Sequence, residues 1–259
     1  MSHRVRAATA CMLTVVVAAL LSGCVTSTKY RLAKRGTPPA PALDLKAPSA
    51  GPLELDLATV IVFKGPGSWK QEARWDEYTV TLVNHGSEPI AVESAELIDV
   101  QGAPRAPGDE PWSLEKESRT ALDRYQRMGV GVAAGAGAAA LYTWALTSAV
   151  ASGSWLAGGA AATNVLLVGL VVPVAGLVDV GTVAVMDHNN KRAVEREFER
   201  RRLVLPRTLA PGESVNGSLF FPMTPGPQRL LLHAHGALEP HEVRLELGPL
   251  SALHLKAAK

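Results

Sequence analysis

Apolar and polar residues alternate in two separate stretches of this chain, and between them lies a long run in which they do not alternate at all. In the first stretch, Leu53, Leu55 and Leu57 are interleaved with other residues, and Val60-Ile61-Val62-Phe63 follows. Tyr78, Val80 and Leu82 then alternate with Thr79, Thr81 and Val83 up to the turn Asn84-His85-Gly86-Ser87. Ile90 and Val92 begin the return strand, and Ala95 and Leu97 continue it after a bulge at Ser94. Successive side chains of a strand point to opposite faces, so a period of two broken by Gly, Pro and Asn predicts half-buried antiparallel strands. The pattern returns near the C-terminus. Leu203-Val204-Leu205 precedes the turn Ala210-Pro211-Gly212-Glu213, after which Val215, Gly217, Leu219 and Phe221 share one strand face. Leu230, Leu232 and Ala234 form the next strand, and Val243, Leu245 and Leu247 the last. Neither stretch holds enough strands to cover two sheets. Together, residues 53–118 and 203–259 predict one β-sandwich, with residues 119–202 inserted between two of its strands; the alternative is two separate β units.

The insertion has its own pattern. Met128 to Val150 carries no charged residue, nor does Trp155 to Val178, and Ala151-Ser152-Gly153-Ser154 separates the two as a small-residue turn. Each stretch is long enough to cross ~30 Å of hydrocarbon as a helix. The expectation is an apolar helical hairpin over 128–186, rich in Gly and Ala. Gly131-x-x-x-Gly135 offers the close approach that pairs helices in lipid, and Pro173 would kink the second helix. A helix apolar on every side must be enclosed by something, and a sandwich of this size is too small to enclose two. The charged segment 188–202 reads as an exposed helix, with Glu197 facing Arg201 and Glu199 facing Arg202. Arg124, Arg127, Lys191 and Arg192 flank the hairpin and are candidate contacts for anionic lipid headgroups.

Ahead of the strands, Arg4 and Arg6 precede an apolar run from Ala7 to Leu21 that ends in Leu21-Ser22-Gly23-Cys24. This segment resembles the signal of a bacterial lipoprotein. The resemblance implies cleavage before Cys24, lipidation of its sulfur, and residues 1–23 as signal peptide. Val25 rather than aspartate follows the cysteine, which in the enterobacterial lipoproteins it resembles implies passage to the outer membrane, here with the protein on its periplasmic face. Residues 24–52, centred on Thr37-Pro38-Pro39-Ala40-Pro41, predict a disordered, flexible tether. The phrases around Trp69, Trp75 and Trp112 resemble those of uncharacterised proteobacterial envelope lipoproteins, a likeness that brings no activity with it. The turn and strand from Leu209 to Gly217 resemble those of immunoglobulin-like exported domains. The expected fold is therefore α+β: an immunoglobulin-like antiparallel sandwich interrupted by a Gly/Ala-rich apolar helical hairpin.

Charge and chemistry add little. Loss of Arg4 and Arg6 brings the 26 Lys and Arg level with the 24 Asp and Glu, which argues against nucleic acid as a partner. Cys11 leaves with the signal and Cys24 is lipidated, so the mature chain keeps no free thiol. His233, His235 and His241 are weak metal candidates. Ser68, in Gly65-Pro66-Gly67-Ser68, lacks the spacing of a nucleophile elbow, and the carboxylates at Asp76, Glu77, Asp109, Glu110 and Glu115 single out no acid and base. No cofactor motif is present, and the chain is read as a non-enzyme. Trp69, Trp75, Tyr78 and Trp112 form a candidate interaction surface, since Trp and Tyr anchor interfaces, with packing in the sandwich as the plainer role. The expected function is a lipid-anchored envelope protein of structural or interactive role. Its partners would be membrane lipids, through the Cys24 acyl chains and the hairpin, and an envelope protein or a second copy of itself. The alternatives are a subunit of a secretion or transport assembly, similar in architecture to the small sandwich lipoprotein of type VI secretion, and a histidine-based metal protein or enzyme.

Overall fold

The computed structural model of the chain describes residues 30–33, 39–48, 51–138, 180–236 and 240–256. Its strands are β1 (Arg31–Leu32), β2 (Leu45–Lys46), β3 (Leu53–Ile61), β4 (Lys70–Gln71), β5 (Asp76–Asn84), β6 (Ile90–Ile98), β7 (Pro104–Arg105), β8 (Arg207–Leu209), β9 (Ser214–Phe221), β10 (Arg229–His235) and β11 (Pro240–Glu246). Helices α1 (Pro111–Arg127) and α2 (Val180–Arg201) lie between β7 and β8. The chain is thus built of antiparallel sheets and helices, an α+β arrangement.

One sheet runs β2-β3-β5-β9, and the other runs β11-β10-β6-β7 with β8 also on β6. Strands from before and after the insertion share both sheets: β9 pairs with β5, while β10 and β8 pair with β6. The two sheets bury a common interior. Leu55, Leu57, Val80 and Leu82 from one meet Val92, Leu97, Leu230 and Leu232 from the other, each almost wholly buried. The register of β6 against β10 slips between His233↔Ser94 and Ala234↔Val92, which leaves Glu93 as the extra residue of a bulge.

A third layer covers the far face of the β3-β5-β9 sheet. Helix α1 opens with Pro111, which has no N–H to leave unpaired, and ends with Arg124 and Arg127, favourable to its dipole. It turns Leu114, Ser118, Ala121 and Tyr125 inward at helical spacing. Helix α2 adds Val194 and Phe198. Leu114, Val194 and Phe198 meet Ile61, Trp75 and Phe220, on the sheet face that alternation assigns to solvent, while Ala121 and Tyr125 pack with Val132.

Four expectations need correction. The helical part begins at Pro111, not at 119, and Glu115 is a buried residue of that helix. Residues 24–52 are not all tether: Leu43 and Ala47 are buried, hydrogen-bond to β3 on either side of β2, and extend that sheet. Alternation at 43, 45 and 47 drives this docking, despite the prolines around it. Leu203 to Leu205 form no strand; Leu203 donates to the Ser218 carbonyl, and the strand lies at Arg207–Leu209. Residues 128–137 do not begin an apolar helix. They form turns and extended segments, with Val132 bridged to Leu255, and Ala138 is the first helical residue, so Gly131 and Gly135 are not a helix-pairing motif. Among the described residues, no helix is long and apolar enough to cross a membrane. The rest of the hairpin, residues 139–179, lies outside the described residues, as do the signal segment and Cys24.

Candidate functional site

The best-built polar feature of the protein holds the base of the insertion. Backbone bonds zip residues 131–138 onto the C-terminal tail: Lys256 N to Gly131 O, Ala133 N to His254 O, and His254 N to Ala136 O. Gly135 adopts φ +76°, and a Cβ there would lie 2.3 Å from the Phe63 carbonyl oxygen. Only glycine fits both conditions. Its N–H donates to His254 Nδ1 at 2.9 Å, so the imidazole carries its proton on Nε2, which donates to Asp76 Oδ2 at 2.7 Å. His254 and Asp76 are wholly buried. Asp76 Oδ1 and the neighbouring Tyr78 hydroxyl have no partner among the described residues. A carboxylate on β5 thereby locks the tail, and the tail locks the turns that lead into residue 139.

The far end of the insertion is fixed by a second buried cluster. The Trp75 ring lies edge-to-face with Trp69, Phe198 and Phe220, at centroid distances of 5.2 to 5.6 Å. Glu77 accepts from Trp69 Nε1 at 2.5 Å and from Ser218 Oγ at 2.7 Å, and Arg201 of α2 reaches it at 3.3 Å. Glu115 accepts from the Arg74 backbone, from Arg74 and Arg119 side chains, and from Tyr30. Lys70 is enclosed on every side. Its amine sits 4.1 Å above the Trp75 ring and donates to the carbonyls of Trp75 and Ala73. Burial pushes that amine down to about 8, against the attraction of Asp76, Glu77 and Glu115. Sealed from solvent, it is a structural cation and not an accessible nucleophile.

The shift has a measurable sign. Between about pH 8 and 10.5 the unfolded chain holds the Lys70 proton that the folded chain has released, so stability rises with pH across that window. Below pH 8 the full cost of the buried charge applies, about 3 kcal/mol. Burial also pushes the Tyr78 hydroxyl well above its ordinary value, which reverses the trend above pH 10. Equilibrium denaturation of the wild type at pH 7 to 10 should show the rise, and Lys70→Met should flatten it. A wild-type profile without a rise would show that the folded chain keeps the Lys70 proton as tightly as the unfolded chain does, so that burial does not depress the amine.

Most of the candidate site residues lie elsewhere than expected. Trp69, Trp75 and Tyr78 are inside the protein, where sheet and helices close over them, and so form no interaction surface. Trp112 is half-buried, edge-to-face with Tyr30 and donating to Glu195. His233 and His235 point outward from β10 toward Glu96 and Glu93. His241 faces the other side of that sheet, since it pairs with the inward-facing Ala234. The three imidazoles therefore do not converge. Among the described residues, no group of three or more His, Cys, Asp or Glu could hold a metal ion. Of the proposed headgroup contacts, Arg127 and Arg192 are exposed, Arg124 lies over the Tyr125 ring, and the Lys191 amine lies 5.9 Å from the Trp112 ring centre. The pairs Glu197–Arg201 and Glu199–Arg202 form, at 2.7 and 2.9 Å.

The His254–Asp76 contact spans 178 residues, and no sequence signal could have found it. Phe220 could have been found. The doublet Phe220-Phe221 breaks alternation, as a strand covered on both faces requires. Compared with known proteins, the chain matches no family model, no curated protein and no solved structure.

Proposed function

We propose that this chain is a lipid-anchored protein of the bacterial envelope, held at the periplasmic face of the outer membrane, with a structural or bridging role rather than a catalytic one. Its sandwich is read as immunoglobulin-like, supported by two antiparallel sheets around one interior. The observation that carries the reading is the uncharged stretch from residue 139 to residue 178, spliced into a body whose interiors are filled by residues outside that stretch. The turns at 131–137 brace that run at its entrance, and at its exit the chain continues into α2, which is anchored further along by Val194 and Phe198. A segment so apolar gains most by leaving water, and a membrane beside the acylated Cys24 supplies the surroundings. Holding it by rigid latches suits a protein that must keep a fixed distance or orientation to the bilayer. The histidine-based reading is not retained, because its imidazoles lie on opposite faces of a sheet.

The test removes the acyl anchor. With Cys24→Ser and a cleavable secretory signal, the chain should still fractionate with membranes and resist carbonate extraction, while fatty-acid labelling disappears. Gly169→Arg should weaken that association, by about 3 kcal/mol on insertion scales. Thr81→Arg should not, because Thr81 lies half-exposed on the sheet's outer face beside Asn216. An unlipidated protein that is soluble and monodisperse without detergent would overturn the membrane reading.

A further inference from the structure

One face of α1 carries positive charge that the protein leaves uncompensated. Lys116, Thr120 and Arg124 recur at four-residue spacing along it and wall a groove of about 340 Å³, closed on the far side by Arg105. The cations on neighbouring faces are neutralised: Arg119 and Arg74 by Glu115, and Arg201 by Glu77 and Glu197. Lys116 and Arg124 make no ion pair among the described residues, and the groove holds a single carboxylate, Glu117. Arg105 differs in being fixed. Its Nη2 donates to Asp99 and to the Tyr125 hydroxyl, which leaves the rest of the guanidinium fork without a hydrogen bond among the described residues and pre-aimed. Asp99 is held below the usual carboxylate range: burial opposes this, but the Tyr125 hydroxyl, two backbone amides and Arg105 outweigh it. That anchor stays charged at neutral pH.

The floor of the groove is Ala121, Pro222 and Met223. Cations above an apolar floor suit a phosphate attached to an organic group better than a bare ion, because both parts then find a complement. Helix α1 ends at Arg127, where the uncharged run begins. We propose that this groove binds the phosphodiester headgroup of an anionic phospholipid. Lys116 and Arg124 contact the phosphate, Arg105 orients it, and the glycerol lies on the Pro222–Met223 floor. The source of the ligand rests on the membrane reading above, whereas the chemistry rests on the groove alone.

The test uses the full chain carrying Cys24→Ser, titrated calorimetrically at low salt with three water-soluble probes: glycerophosphoglycerol, glycerophosphocholine and inorganic phosphate. Glycerophosphoglycerol should bind best. Lys116→Gln with Arg124→Gln should weaken it by at least about ten-fold, as loss of two charge-assisted contacts implies. Glu117→Gln should strengthen it. Arg196→Gln with Arg200→Gln, on the exposed side of α2, should leave it unchanged, and thermal midpoints should agree across the variants. Absence of binding by any probe, equal binding after the Lys116/Arg124 substitutions, or phosphate binding as tightly as the diester would each overturn the proposal. None of the probes enters a bilayer, so the groove can fail while carbonate resistance holds, and the reverse.

Discussion

Trp75→Ala should destabilise the protein by about 3–5 kcal/mol, the range for deleting a large aromatic from a packed interior. The indole is wholly buried and touches three other aromatic rings, which come from the segment just ahead of β4, from β9 and from α2. It also lies beneath the Lys70 amine, so its loss removes the face that offsets a buried charge. The damage should be directional. Phe198 and Phe220 would still stack at 4.1 Å, but of its ring contacts with the segment ahead of β5, α2 would keep only the Arg201 guanidinium over Trp69. Limited trypsin digestion should then cut first at the exposed Arg192 and Arg196, before the sheets open. A denaturation curve together with timed cleavage checks both parts. A loss below about 1 kcal/mol would mean that the aromatic cluster is not what holds the helices.

His254→Ala should cost a similar amount, about 3–5 kcal/mol, for an electrostatic reason. The ring is the donor to Asp76 Oδ2, and Oδ1 already lacks a partner, so the substitution leaves a buried carboxylate with no hydrogen bond to its side chain among the described residues. It also leaves the Gly135 N–H without an acceptor. Because much of the loss is an unpaired charge, adding Asp76→Asn should recover part of it. The double variant should be more stable than the sum of the two single losses implies, by a coupling of about 1–3 kcal/mol. Simple additivity in that cycle would show that the two groups do not act as a pair. Gly135→Ala should be as damaging by a separate route, since its Cβ meets a backbone oxygen.

The sheets were legible because their interior is built from residues that alternate. Leu53, Leu55 and Leu57, and likewise Tyr78, Val80 and Leu82, mark inward faces that need no knowledge of their partners. The turn at Asn84–Ser87 and the bulge beside Ser94 were legible for the same reason. Of the helical layer, the charged helix at 188–202 was legible, while its buried side and all of α1 were not. Helix α1 turns inward Ser118 and Ala121 between Leu114 and Tyr125, and buries Glu115, so its apolar stripe is too thin to stand out. Its cover over the sheet explains why Trp69 and Trp75 read as an exposed surface. Their polar neighbours, Lys70, Asp76 and Glu77, look like solvent-facing residues until the groups that pair with them come in from distant segments. The two clasped ends of the insertion depend on such contacts. Gly131 and Gly135 illustrate the ambiguity: the same small-residue spacing serves helix pairing in lipid, or, as here, a close backbone approach in a turn.

The most direct measurement excises the uncharged run and keeps everything that latches it. Residues 139–179 are removed, and Ala138 is joined to Val180 by a short flexible linker in a chain lacking the signal and Cys24. The protein should be soluble without detergent and unfold in a single cooperative transition. A companion deletion of 128–186 also strips away Val132, which is fully buried, and the Gly135–His254 contact. It should therefore be less stable by several kcal/mol, about the cost of one large core truncation. Aggregation of the first deletion, or loss of its cooperative transition, would contradict the claim that the sandwich and its helices form a complete body from which the apolar segment is carried.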